Sequence, residues 1–515
     1  MMQLPLPASH RLLPLVLALG AACSAQAQSE AFIGPRMESR PTVLELGYAP
    51  VKVPGPNGGK SALLSATWMV AVDDDWGFGP TVLGTAKGDF GGVFILGATA
   101  QRRWRLGRDL HLAASMTVGG GGGRRLPLGG GLMLRPEVQV RQSFGSWYLG
   151  AGVAHTRFPN GELRDTGWSL TLGRAAEFQA FSPRSDGQRA STGTPMGMGF
   201  DEMALAASRF QPSRKAKGRD GRALSPSLNR AGVDLRSYRN EGSWWGLEAA
   251  GAARGGEDGY IETLGNAGWD WPLLHPRLRA GVQLGVGLGG GGNIDTGNGW
   301  LLRGGATLRW LSPWGASLRL DANRTHAPSG NFSARETRLS LVLPLTGERR
   351  PDATGFGLLE EGVVRTQTLW GGVQTLPRVR LGNGQQGRMS QVVLGLNRNW
   401  STHLYGTAQA SSAAVGQAAG HAVGLVGLGA QTQPWAGRWR AGAELLAGVA
   451  GGGGVTVDGR AVGQAQLWLQ TEGLADHERL VVRAALGQRF ALRGSQGDSP
   501  VFSLSLGYAY GGLGR

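Results

Sequence analysis

The 515-residue chain predicts an all-β fold: a large antiparallel transmembrane β-barrel of about 18–24 strands, built from three related strand units. Three observations predict it. Glycine runs at Gly119–Gly123, Gly289–Gly292 and Gly451–Gly454 recur 170 and then 162 residues apart, each directly following a strand-like stretch and preceding several more. Large apolar residues alternate with small or polar ones at a period of two. The chain also opens with the three parts of a secretory leader.

The leader is assigned to residues 1–27. His10 and Arg11 give a thin basic start, Leu12 to Ala22 an apolar core, and Ala25-Gln26-Ala27 a small-residue cleavage site. That core is shorter than the roughly 20 residues a helical span needs. The single cysteine, Cys23, lies inside it. Gly20-Ala21-Ala22-Cys23 half fits a lipoprotein signal; cleavage after Ala27 instead leaves a mature chain without thiol chemistry. No later run of 18 uncharged apolar residues exists, so helical membrane spans are excluded. Glycine occupies 89 positions without a three-residue period, which excludes collagen.

The barrel, residues 28–515, divides into units of approximately 30–178, 199–346 and 358–515. Aligning the glycine runs gives six common strands per unit. In the first they fall near 61–72, 91–102, 109–118, 131–141, 146–157 and 167–178. In the second they fall near 243–254, 259–270, 277–288, 300–310, 314–325 and 335–345. In the third they fall near 400–411, 420–432, 438–449, 461–471, 479–490 and 501–510. Extra candidates precede each set, at 42–52, at 202–210 and 231–239, and at 360–370 and 388–398. The alternation is clear in Trp168, Leu170 and Leu172 against Ser169, Thr171 and Gly173, and in Leu339, Leu341 and Leu343 against Arg338, Ser340 and Val342. Many segments are about ten residues long, which suits a tilted transmembrane strand. Glycine within the strands suits a lumen better than a packed sandwich core. Tryptophans near segment ends, such as Trp104, Trp147, Trp310 and Trp468, suit interfacial girdles. Residues 179–230 read as a long loop, and Gly347 to Gly357 as a second junction. Continuous pairing around one ring is expected, with 501–510 closing against the first strand of the mature chain; separate small barrels are the alternative.

Candidate chemistry is sparse. The glycine runs lack the Gly-Lys-Ser/Thr ending of a phosphate loop and read as turns or close packing. Asp73-Asp74-Asp75 reads as a solvated acidic turn rather than a calcium loop. His155 and His326 occupy matching strand ends without a third ligand. No Gly-x-Ser-x-Gly elbow is present, so no catalytic residue, metal site or cofactor is assigned and no enzyme activity is expected. Arginine is the strongest lead, within a formal charge of +16. Arg135, Arg141, Arg303, Arg309, Arg319 and Arg483, with Arg279, Arg440 and Arg489, fall within strands. Facing lipid at mid-membrane, each would cost about 2–4 kcal/mol, so lumen or barrel ends must take most of them. Two readings stand side by side: an anion-favouring lumen, or pairing with acids such as Glu137, Glu248, Asp321 and Glu444. Nucleic acid is excluded as a partner by the leader and by the strand pattern of the arginines.

With these features the chain resembles bacterial outer-membrane β-barrel proteins, porin-like or exopolysaccharide-export-like, along nearly its whole length. Phe502, Leu504, Leu506, Tyr508 and Tyr510 match the alternating, aromatic-ended closing strand that the barrel assembly machinery reads in such proteins. The tail Gly511-Gly512-Leu513-Gly514-Arg515 departs from that pattern and reads as a short exposed end. The resemblance implies location in the cell outer membrane, among outer-membrane lipid and lipopolysaccharide. It implies a channel for passage or export of solutes or polymer, with an anionic solute or polysaccharide suiting the arginines. A non-conducting surface scaffold or adhesin barrel is the alternative.

Overall fold

A computed structural model describes residue 35 and residues 37–514 apart from 55–58, 88–92, 124–125, 192–195, 198, 240–241, 256, 258–259, 276, 313–315, 346, 350–355, 359–360, 475–476 and 495–496. The leader and Cys23 lie outside the described residues.

The strands close three times. Met37–Val53 hydrogen-bonds to Gly59–Ala71 on one side and to Arg164–Phe181 on the other, with a continuous antiparallel meander between them. Glu202–Pro212 pairs with Leu228–Tyr238 and with Ser333–Pro344, closing the middle barrel. Glu361–Arg380 pairs with Gln386–Asn399 and with Ser499–Gly514, closing the last. Each barrel has eight strands. The expected single ring is therefore corrected, and so is its expected closure of the last strand against the first of the chain. Loop entropy decides little here, because each doubling of loop length costs only about 0.6 kcal/mol. The inward side chains decide it. An eight-stranded barrel is just wide enough for side chains to fill, and these strands point large charged and amide groups inward.

Three further expectations need correction. The first barrel has one strand beyond the seven expected, Trp76–Lys87, third in chain order. Its Pro80 and three glycines hid the alternation, and its ladder with Gly59–Ala71 skips Trp68 and Met69, where a Cβ on Gly79 would lie 1.7 Å from the Trp68 carbonyl oxygen. The stretch 179–230 is not one loop: the candidates at 202–210 and 231–239 are the strands Glu202–Pro212 and Leu228–Tyr238, the first two of the middle barrel. The carboxy-terminal tail is not exposed: Gly511 to Gly514 pair with Val363 to Thr366, and Leu513 is buried.

Each barrel is apolar outside and polar inside. Trp168, Leu170 and Leu172 are exposed while Ser169 and Thr171 are buried; Leu339 and Leu341 are exposed while Arg338 and Ser340 are buried. The ends differ too. In the first barrel, connections on the side of the strand termini are short (72–75, 106–109, 145–146), and those opposite are longer (88–93, 123–131, 158–163). Short turns mark the periplasmic end of an outer-membrane barrel, and long loops the outside.

The barrels pack in a cycle. The fifth strand of each lies against the third strand of another: Leu110–Gly122 on Leu404–Val415, Trp439–Gly451 on Ser243–Arg254, and Leu278–Gly290 on Trp76–Lys87. Such head-to-tail contacts close into a ring. The glycine runs meet near its axis on the loop side, where Gly122, Gly291, Gly292, Gly452 and Gly453 help line a cavity of about 430 Å³. A Cβ on Gly120 would sit 2.7 Å from the carbonyl oxygen of Ser412, so glycine lets the backbones of first and last barrels touch. On the terminus side, Phe181 of the first barrel pairs with Gly511 of the last, and Phe178 packs edge-on against Tyr510 at 4.8 Å.

Candidate functional site: the filled barrel interiors

Period-two strands send every second side chain inward, so the interiors are assembled from matching rows of neighbouring strands. In the first barrel, Thr67, Thr81, Thr99 and Thr117 join hydroxyl to hydroxyl at 3.0, 2.5 and 2.8 Å across four adjacent strands. Beside this ladder Arg141 donates to Glu45 at 2.6 Å, to the Gln101 side-chain oxygen at 2.8 Å and to Gln139 at 3.1 Å. The Tyr148 hydroxyl also donates to Glu45, and Arg135 donates to Glu137 at 2.7 Å. The remaining void, about 20 Å³ and lined by Glu45, Thr67 and Arg135, has room for about one water.

The middle barrel is more highly charged. Seven buried strand arginines (Arg230, Arg236, Arg279, Arg303, Arg309, Arg319 and Arg338) share its interior with seven buried strand carboxylates (Glu202, Asp234, Glu248, Glu262, Asp270, Asp321 and Glu336). Arg303 donates to Glu248 at 2.6 Å, to Glu262, and to the Thr325 hydroxyl at 3.0 Å. Arg338 reaches the other Glu248 oxygen at 2.6 Å, and Arg230 joins Glu262 to Glu336. Arg309 grips Glu202 with two bonds of 2.5 and 2.8 Å, while Arg319 bridges Asp234 and Asp321. Charges this deeply buried persist only when paired and hydrogen-bonded, and the equal numbers meet that need.

The last barrel substitutes amides for most of these charges. Arg483 meets Glu444 at 2.5 Å, a carboxylate that also accepts from the Tyr405 hydroxyl at 2.6 Å, and the Arg483 guanidinium lies 4.4 Å from the Trp468 ring centre. Arg489 has no carboxylate partner among the described residues. It donates to the side-chain oxygens of Gln374, Gln391 and Gln464 at 2.6 to 3.1 Å. On the loop side each interior ends in an apolar cluster. In the middle barrel Phe210, Leu228, Tyr260, Ile294 and Phe332 form it; in the first, Val51, Leu83, Ile95, Leu128 and Phe158. In the last barrel Leu376, Met389 and Val501 lie in one cluster, and Val423, Leu446 and Val462 in a second.

Arg135, Arg141, Arg303, Arg309, Arg319 and Arg483 thus all lie inside barrels, distributed two, three and one among them, and each contacts a carboxylate. They do not come together in one lumen. Sequence reasoning missed Arg230, Arg236, Glu262 and Glu336 as members of the same network. Arg230, Asp234 and Arg236 are separated by even numbers of residues, four and two, within one strand and so share its face, a signal that was readable. On the closing strand, Phe502, Leu504 and Leu506 point outward and are exposed, Tyr508 is half-buried, and Tyr510 is covered by the first barrel while donating to Gln367 at 3.2 Å. Asp73 caps its own turn, accepting from the backbone N–H groups of Asp75 and Trp76. His155 shares a hydrogen bond with Thr166 across its strand pair, and no cluster of metal-ligating side chains occurs among the described residues.

Closing each sheet on itself satisfies its backbone groups without water, the condition a bilayer imposes on any spanning sheet. With an exposed Leu, Val and Trp belt outside and polar groups inside, these are transmembrane barrels of the outer-membrane kind.

No protein-family model matches the chain, and no curated protein sequence does. Among solved structures the chain is similar to OccK2 (OpdF) of Pseudomonas aeruginosa, at 13% identity over 93% of this chain and 99% of that one, with a TM-score of 0.20. OpdK of Pseudomonas aeruginosa, solved with vanillate, gives 12% identity over 92% and 99%, with a TM-score of 0.21. The ferric enterobactin receptor PfeA gives 10% identity over 93% and 82%, with a TM-score of 0.26. At these scores the likeness carries no argument, and the barrel class rests on the strand pairings and the apolar outer face.

Proposed function

We propose that the protein is an outer-membrane scaffold whose three filled barrels hold a joined, glycine-rich loop surface at the cell exterior. The observation that carries this reading is the middle barrel, filled by seven arginines and seven carboxylates beneath an apolar lid. A guanidinium held between two or three carboxylates already has its charge neutralised and offers little attraction to a passing anion, and moving it aside strands buried charge. Cyclic packing places the long loops of all three barrels around one axis, giving a wider platform than one eight-stranded barrel offers. The surface would suit anchoring of an extracellular polymer or partner protein. Planar-bilayer recording of the purified protein tests the proposal: no steady conductance is expected, and a stable open level in every insertion would overturn it.

The axial cavity favours a second reading, transport between the barrels rather than through them. It is lined by glycine backbone from all three barrels and lies on the loop side. In that case flux would be blocked by Gly453→Trp while every barrel stays folded. Replacing the interior arginines would leave ion preference unchanged.

A further inference from the structure

The first and middle barrels leave a cleft of about 470 Å³ between them near the short-turn end. Its walls come from the outward faces of both. Leu44, Leu46 and Leu172 of the first barrel face Trp245 and Ala267 of the middle barrel. These positions follow from strand alternation, since Glu45 and Thr171 between them point into the first barrel. The cleft's polar groups are concentrated at its end. Arg174 follows Leu172 on the same outward face and lies over the Trp147 ring, 5.5 Å from its centre. Arg239 projects from the turn that precedes Ser243–Arg254 and is exposed. No described carboxylate pairs with either arginine, unlike nearly every arginine of the interiors.

An apolar cleft ending in two unpaired guanidinium groups beside a tryptophan has the polarity of a lipid molecule. The tryptophan marks the level where hydrocarbon gives way to headgroups. Arginine binds phosphate oxygens with two parallel N–H bonds, a match that lysine or a neutral group does not make. The short turns put this end at the periplasmic leaflet. We infer that the cleft holds a glycerophospholipid of that leaflet, one acyl chain along Leu44, Leu172 and Trp245 and the phosphate shared by Arg174 and Arg239. The lipid then acts as a wedge that completes the contact between two barrels whose walls do not meet there. This rests on the membrane reading above.

The full-length protein is reconstituted in phosphatidylethanolamine and phosphatidylglycerol vesicles carrying a trace of phospholipid with a photoreactive acyl chain. After irradiation, adducts are mapped by mass spectrometry. Adducts should concentrate on the peptides bearing Leu44 and Trp245, at least fivefold above outward strands elsewhere, and should fall to that background in the R174Q/R239Q variant. A photoreactive diacylglycerol, which lacks phosphate, should label all outward strands evenly. Even labelling by the phospholipid, or equal labelling of wild type and variant, overturns the site. Heat-modifiable mobility of both proteins reports the membrane barrels independently, so loss of the barrel reading and loss of the lipid site are separate outcomes.

Discussion

Replacing Arg303 by Met should destabilise the middle barrel far more than Arg489→Met destabilises the last. Both arginines are buried inside a barrel, and both substitutions remove a guanidinium while keeping an unbranched side chain. The difference lies in what is left behind. Arg303 holds Glu248 at 2.6 Å, contacts Glu262 and lies 3.6 Å from Glu336. Its removal leaves these three carboxylates with the cations Arg230 and Arg338 and the neutral donors Tyr260, Asn266 and Asn323, inside a wall surrounded by hydrocarbon. Breaking one side of a buried charge network costs about 3–5 kcal/mol, and each 1.4 kcal/mol is tenfold in the folding constant. The folding equilibrium of the middle barrel should therefore fall by about two to three and a half orders of magnitude. Arg489 leaves only amide oxygens behind, neutral groups whose lost hydrogen bonds cost about 1 kcal/mol each, while the burial of an uncompensated charge is relieved. Those effects oppose each other, and a net change below about 1.5 kcal/mol is expected. Urea unfolding in lipid vesicles, followed by heat-modifiable mobility and by protease cleavage within 202–344 and within 361–514, measures both. Equal destabilisation by the two substitutions would refute the charge argument. A single transition shared by all three barrels in every variant would refute their separate closure.

Residues 361–515 expressed alone should fold into a compact, heat-modifiable barrel, because Glu361–Arg380 and Ser499–Gly514 already close it; aggregation under conditions that fold the whole chain would count against that. Gly120→Leu should separate the first barrel from the last without unfolding either, since its Cβ alone would come 2.7 Å from Ser412. Loss of a disulfide engineered between the two barrels, with heat-modifiability retained, would be the sign of it. A pH effect should come from His421, which lies in the loop before Ala422–Gln431 with Nδ1 3.2 Å from the Gly452 carbonyl oxygen and is pushed down to about 4 by burial, with Arg489 adding to the shift. The folded pKa lies below the unfolded value of about 6.5, so the folded state holds fewer protons between them. Stability is then fully present above pH about 6.5 and is lost as pH falls toward 4, by about 3 kcal/mol in the last barrel. His421→Gln should flatten that slope, which urea titrations at pH 7 and pH 4.5 would read; an unchanged slope would remove His421 from the account.

Local pattern was enough to read most strands from the sequence. Alternation placed Trp168, Leu170 and Leu172 on one face and Ser169 and Thr171 on the other, and a period of two survives in any sheet, soluble or membrane-bound. The glycine runs likewise announced a recurring position, because in each barrel one of them, Gly121, Gly292 or Gly453, lies so close to a carbonyl oxygen that a Cβ has no room. Trp76–Lys87 escaped because Pro80 and its glycines interrupt the pattern, whereas Glu202–Pro212 was already legible as the candidate at 202–210. Closure was a different matter. Every strand makes the same backbone bonds with a neighbour from its own barrel as it would in one large ring, so nothing in a single strand records which edge it meets. The tertiary structure decided that through volume: inward arginines and glutamates fill an eight-stranded interior and find each other across it, as Arg303 does with Glu248 and Glu262. In a ring of about 24 strands the same side chains would have lined an aqueous wall. The arginine pattern was legible from the sequence, but whether those charges face water or one another depends on the barrel's diameter, which only the closed registers determine.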